Sequence, residues 1–177
     1  NTSYTKVGSS AFKGCSALTY VDLPSNITEI DDYAFADVAS LTTVDMKPSV
    51  ETIGAQAFYN TSINLTTLPA KLKTIESGAF MSCKQLALNA LPNQLTTIEA
   101  YAFFNCPKLA ISQFGNVDSK LATIGIDAFN TSAAESNVVD VYIGASVNMI
   151  GSNAFKDYGK NGKVNSVILA KPVEEYL

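Results

Sequence analysis

The chain has 177 residues, 47% apolar and 16% charged, enough for one domain or one run of a repeat array with a full core. Twelve Lys+Arg against sixteen Asp+Glu give a formal charge of −4 and a pI near 4.7, which argues against nucleic-acid and anionic-membrane binding. Histidine is absent, which removes Ser-His-Asp and Cys-His catalysis, imidazole zinc sites and any histidine pH switch.

Taken in chain order, the sequence repeats itself. Ala-Phe stands at 11-12, 34-35, 57-58, 79-80, 102-103, 128-129 and 154-155, with steps of 23, 23, 22, 23, 26 and 26 residues. Seven of the nine phenylalanines therefore share one column. Four residues before each Ala is a β-branched residue: Val7, Ile30, Ile53, Ile75, Ile98, Ile124 and Ile150. Three before that is another large side chain, from Tyr4 and Ile27 through to Val147. A closing Leu-Pro recurs at Leu23-Pro24, Leu68-Pro69 and Leu91-Pro92.

Each unit predicts two extended pieces and a turn. Leu18-Thr19-Tyr20-Val21-Asp22-Leu23 ends in the period-2 alternation of a half-buried strand, and Pro24 closes it because proline donates no ladder hydrogen bond. Ile27-Thr28-Glu29-Ile30 is the second extended piece. Gly8, Asp31, Gly54, Glu76 and their equivalents then open a turn or a helix of one or two turns that carries Ala and Phe inward. One coil cannot bury its own apolar edge, so coils must stack with strands parallel. The expectation is a solenoid of about seven coils over residues 1–177. The chain opens inside a unit, with Tyr4-Thr5-Lys6-Val7 already in the Leu-x-x-Ile slot, as a piece of a longer array would.

Three features depart from the unit. In the middle copies Ile63-Asn64-Leu65, Leu86-Ala87-Leu88 and Leu109-Ala110-Ile111 shift the strand register; a concerted bulge keeping the apolar side chains inside is favoured over an exposed stripe for a partner. Extra residues are expected around Ser132–Asn137 and Lys156–Lys163, as loops on one face. Residues 170–177 leave the pattern and are expected as a terminal cap.

With Ala-Phe-x-x-Cys at Ala11–Cys15, Ala79–Cys83 and Ala102–Cys106, the repeat resembles the BspA-type (Treponema-type) leucine-rich repeat from Tyr4 to about Leu169. It departs at the Cys column, where Val38, Thr61, Ser132 and Tyr158 stand instead. The resemblance implies an α/β-type, right-handed leucine-rich-repeat solenoid, secreted or displayed on a cell surface, whose relatives adhere to host or matrix proteins. It brings no catalytic motif and no cofactor.

The residues themselves point the same way. Cys83 and Cys106 sit in one column of successive coils, and buried free thiols are favoured over a disulfide or metal pair. Without His or C-x-x-C, a metal site has little support. Asp22 and Asp45 are neighbouring surface carboxylates, lacking the enclosed pocket that acid–base hydrolysis needs. Five N-x-S/T sequons occur, at Asn1, Asn26, Asn60, Asn64 and Asn130. The best binding surface is the outward strand face: Tyr20, Asp22, Thr43, Asp45, Lys47, Thr67, Asp140 and Tyr142. The leading expectation is a non-enzymatic, monomeric module that binds a protein ligand, with no nucleic acid, membrane insertion or metal. A structural spacer carrying another domain is the alternative.

Overall fold

The computed structural model describes residues 4–131, 135 and 137–170. Its strands, in chain order, are β1 (Lys6–Val7), β2 (Tyr20–Asp22), β3 (Glu29–Ile30), β4 (Thr43–Asp45), β5 (Thr52–Ile53) and β6 (Thr74–Ile75). They continue as β7 (Thr97–Ile98), β8 (Gln113–Phe114), β9 (Thr123–Ile124), β10 (Asp140–Ile143), β11 (Met149–Ile150) and β12 (Ser166–Leu169). Every pairing between them is parallel.

One sheet runs the whole length. The second extended piece of each unit forms a seven-stranded sheet in the order β1-β3-β5-β6-β7-β9-β11. Its inward column is the β-branched one, Val7 paired with Ile30, then Ile53, Ile75, Ile98, Ile124 and Ile150. β-branched side chains fit this pleated, half-buried surface well.

The Ala-Phe segment contains no helix; among the described residues there is none at all. The expected helical turns are instead a ladder of tight turns. Around Ala34-Phe35, the Tyr33, Phe35 and Asp37 amides donate to Ala55, Ala57 and Tyr59 carbonyls of the following coil. The alternate amides, Ala34 and Ala36, donate three residues back, to Asp31 and Tyr33. An α-helix needs every amide to reach four residues back within the segment, so this sharing forbids one. The alternation is achieved by left-handed residues on either side of Ala-Phe, such as Tyr33 (φ 56°) and Asp37 (φ 59°) or Tyr101 (φ 58°) and Asn105 (φ 59°). Such backbone is unfavourable for side-chain-bearing residues, and the inter-coil bonds offset it.

Direction matters here. In the turn column amides donate forward to the next coil, whereas the amides just after the strands of the long sheet donate backward, as in Asp31 to Val7 and Gly54 to Ile30.

The core is an aromatic stack. Phe12, Phe35, Phe58, Phe80, Phe103, Phe129 and Phe155 follow one another with centroids 5.1–5.5 Å apart and ring planes within 16° of parallel. The rings from Phe35 to Phe129 are fully buried, and the matching alanines pack beside them. Cys83 and Cys106 are buried free thiols, each donating to a Phe carbonyl of the preceding coil, Phe58 and Phe80, at 3.0 Å. Thr61, in the same column, donates its hydroxyl within its own coil instead, to Phe58 O at 3.0 Å, the carbonyl that also accepts from Cys83. Cys15, in the first coil, is exposed.

Tyr158 ends the Cys column differently. Its buried hydroxyl donates to Ile111 O at 2.8 Å and accepts from Ile111 N at 3.0 Å, closing off backbone groups that the strand ladder does not reach. Its ring packs edge-on against Phe129 and Phe155.

The other face of the solenoid is not one sheet. The first extended pieces pair only at the two ends, as β2-β4 and as β8-β10-β12. Inward residues in the outer coils are spaced 3 then 2, as in Leu18, Val21 and Leu23; in the middle coils they are spaced 2 then 3, as in Ile63, Leu65 and Leu68. Both spacings total five residues, so each coil closes at the same length. The apolar side chains stay inside: Ile63, Leu86, Leu88, Leu109 and Ile111 are buried and Leu65 packs on the core. In the middle coils the three-residue gap falls just before the closing Leu, inside the stretch that forms β2 and β4 in the outer coils, and the ladder is interrupted there, leaving single bonds such as Ala87 N to Leu65 O and Ala110 N to Leu88 O.

The sequence expectation misplaced one insertion. Phe114 and Leu121 are the counterparts of Leu23 and Ile27, yet seven residues apart instead of four, so the first three extra residues lie within Gly115–Lys120. The insertion at 132–137 lies mostly outside the described residues, as does nearly all of the expected cap at 170–177. Lys156–Lys163 forms a turn closed by a bridge between Lys160 and Lys163.

Truncating the spine, by Phe80→Ala or Phe103→Ala, is expected to destabilise by about 3–5 kcal/mol in chemical denaturation. Tyr158→Phe removes one oxygen and strands two buried backbone groups, so a loss of roughly 1–3 kcal/mol is expected. Burial pushes the Cys83 thiol up to about 12 and raises that of Cys106 as well. Iodoacetamide at pH 8 should therefore add one label to the native chain, at Cys15, and three after denaturation, as read by mass spectrometry.

Candidate functional site

The outward residues proposed for binding fall into two groups with a gap between them. On the first sheet Tyr20 pairs with Thr43 and Asp22 with Asp45, so two carboxylates stand side by side. Like charges in register repel. Lys47 answers this from the end of β4: its Nζ lies 2.8 Å from Asp22 and 2.5 Å from Asp45. Hydrogen bonds to Asp22 first and Asp45 second raise the Lys47 ammonium well above the ordinary lysine range. Tyr20 is 54% exposed beside this triad, a flat aromatic face next to an ordered charge cluster. Tyr is among the residues protein interfaces concentrate, and oriented charge beside it supplies electrostatic complementarity.

Thr67 is exposed but belongs to no strand; it lies in the unladdered middle region, beside a shallow hollow of about 330 Å³ that Asp45 and Met46 also line. It therefore does not continue the row from Thr43. At the far end, β10 places Asp140 opposite Ser166, whose hydroxyl donates to it at 2.6 Å, and Tyr142 between Gln113 and Ile168. Tyr142 is 44% exposed. Five of the eight thus make an aromatic-charged patch on coils one and two, Asp140 and Tyr142 join Gln113 in a second patch on the last three coils, and Thr67 stands in the gap between them.

Side chains of Asp22 and Asp45 are half-exposed and both are paired to Lys47, so neither is a desolvated acid. Along the turn edge, burial and then the nearby Asp32 and Glu99 raise the Glu76 carboxyl above its usual range, while the Asp32 amide and then Lys6 hold Asp31 below it. Among the described residues no three His, Cys, Asp or Glu side chains converge as metal ligands. The thiols of Cys83 and Cys106 are spent on carbonyls in the core. Asn26, Asn60 and Asn130 of the sequons use their amides within the fold, donating to Tyr4 O, Asp37 and Asp127, whereas Asn64 is exposed. Asn1 lies outside the described residues.

What the sequence reading missed is a groove at the second patch. The column after the closing Leu holds Pro24, Lys47, Pro69 and Pro92 in the first four coils, but Gly115, Gly144 and Ala170 in the last three. The small residues, together with the inserted segment at 115–120, open a groove of about 390 Å³ beside Tyr142. The signal was present as three small residues in an otherwise bulky column; it was hidden by placing the insertion elsewhere.

Comparison with known proteins agrees with this architecture. The model of the BspA type leucine-rich repeat region matches six copies, over residues 5–136 and 116–174. Among solved structures, a leucine-rich repeat protein of T. pallidum is 24% identical, with a TM-score of 0.67 over 85% of this chain and 68% of that one. A leucine-rich cell surface protein of Faecalibacterium prausnitzii is also 24% identical, with a TM-score of 0.57 over 90% of this chain. This chain spans 43% of that protein's length. No curated protein matches the chain. The parallel coils, the buried Ala-Phe column and six repeat copies place this chain in the BspA-type leucine-rich repeat family.

Proposed function

We propose that the chain is a non-enzymatic protein-binding module of a secreted or cell-surface protein, engaging its partner through the outward face of the first extended pieces. Leucine-rich repeats of this family serve generally as protein-interaction modules, and one structural neighbour is described as a cell surface protein. The observation that carries the reading is the ordered Tyr20, Asp22, Asp45 and Lys47 cluster, exposed on a rigid sheet with no enclosed acid beside it. Rigid aromatic area beside oriented charge favours a protein surface over a small solute. The partner in this reading is a host extracellular-matrix or cell-surface protein, bound by a monomer. No helix among the described residues is long and apolar enough to cross a membrane.

A spacer that holds another domain outward would instead present uniform Thr and Ser. The ladder Thr52, Thr74, Thr97 and Thr123 of the long sheet has that character, which makes this second face the bland one.

The test is capture of matrix and cell-surface proteins by the intact chain, repeated with Tyr20→Ser, Lys47→Ala and Tyr142→Ser. The substituted chains should fold normally by circular dichroism and lose binding about tenfold or more at a true anchor. A partner held equally well by all three would move the interface off this face.

A further inference from the structure

We propose that the groove over Gly115 and Gly144 is a specificity pocket that takes one uncharged apolar side chain from an extended segment of a partner protein; this rests on the protein-binding reading above. Its shape follows from the strand register. Gln113, Tyr142 and Ile168 stand in one outward row across β8, β10 and β12; one residue further Phe114 and Ile143 turn into the core, while Leu169, in the same register on the end strand, is exposed. The next position is Gly115, Gly144 and Ala170, which leaves a trough behind the Tyr142 row.

The glycines are needed there for two reasons. A Cβ on Gly144 would lie 2.8 Å from the Gly115 carbonyl carbon, so the coils close together only because it is absent. Gly115 itself has φ +96°, a conformation side-chain-bearing residues rarely adopt. The inserted segment then supplies the opposite wall, with Val117 fully exposed at its crest.

The lining states the ligand's chemistry. Among the described residues no charged side chain borders the groove; Gln113, Asn116, Ser119 and Tyr142 contribute polar groups, but its surface is mostly carbon, from Val117, Ile143 and Ile168 besides the small residues. Charged ligands would forfeit hydration there without a partner. At about 390 Å³ the groove falls within the usual range of about 300–1,000 Å³ for small-ligand pockets, ample for a single side chain. One polar group is left over. Ser146 Oγ, in the wall 3.5 Å from the Cβ position of Gly115, is shielded from solvent and has no hydrogen-bond partner among the described residues. A serine hydroxyl reorients about a single torsion, so a backbone amide or carbonyl of the bound segment can satisfy it. A predominantly apolar trough with one spare hydroxyl suits a peptide better than a saccharide, which presents hydroxyls on every side.

The experiment uses the whole chain, labelled with nitrogen-15, and capped single residues as probes. N-acetyl-leucinamide and N-acetyl-tyrosinamide should give saturable shifts at the Gly115, Gly144 and Ser146 amides, and N-acetyl-glutamic acid amide should give none. Val117→Asp, at a fully exposed position, should leave the spectrum otherwise unchanged and weaken leucinamide binding about tenfold. Ser146→Ala should weaken it roughly two- to tenfold. The same change should raise the melting temperature of the unliganded chain by about 2–4 °C, since an unsatisfied buried hydroxyl is removed. Absence of shifts with either apolar probe, or shifts with methyl glucoside in their place, overturns the pocket. If a partner is captured through Tyr20 and Lys47 while the probes fail, the pocket fails alone. If the probes bind and no protein is captured, the broader protein-binding reading fails and the pocket stands.

Discussion

Every part of this molecule depends on one coil being unable to satisfy itself. Each carries a flat ring, a β-branched side chain and two sets of backbone groups along edges that only another coil can cover. Stacking meets all of these demands at one spacing. Paired strands lie about 4.8 Å apart, and the offset Phe rings follow at 5.1–5.5 Å. Because the ring column and the amide columns share that repeat, neither can slip without the other. Such coupling makes stability a sum over neighbouring coils, so the end coils are the weakest: Phe12 is 43% exposed where Phe35 is fully buried.

This constraint explains how much was legible in the sequence. A side chain that must meet its own copy every coil has to recur, so the Ala-Phe column and the Val7-to-Ile150 column reveal the solenoid directly. Backbone routing leaves no such trace. An inward Ala-Phe pair is equally consistent with a helical turn and with the observed ladder, because both bury the same side chains. What decides is where alternate amides donate, and Tyr33, Asp37, Tyr101 and Asn105 give no warning in their side chains that their backbones are left-handed. Tyr158 was likewise unreadable. In a column of Cys, Thr and Val it looks like a misfit until its hydroxyl is seen to occupy both backbone groups of Ile111, 47 residues away.

The outward strand face was legible residue by residue but not as a surface. Alternation correctly puts Tyr20, Asp22, Thr43, Asp45 and Tyr142 outside. It does not say that a change from 3-then-2 to 2-then-3 spacing dissolves the sheet between them. The core tolerates that exchange because its apolar count per coil is unchanged; only the outer hydrogen bonds are lost. A uniform solenoid would offer one continuous ribbon, whereas here the outward face is laddered only at its two ends, which are the two stations of the proposed reading.

Those stations differ in kind, and the difference follows from what fills the column after the closing Leu. Lys47 occupies it in the second coil and turns a repulsive carboxylate pair into an ordered charge cluster. Electrostatic contacts of that sort act at a distance, favouring encounter and orientation. Gly115 and Gly144 occupy the same column three and four coils later, and there the missing side chains create depth instead of charge. Burial in a small apolar trough acts at contact and discriminates by shape. A partner long enough to reach both stations would be steered by the first and held by the second. The rigid spine between them fixes their separation, so each coil inserted or removed in the middle would shift the second station by about one strand spacing while leaving both stations chemically intact.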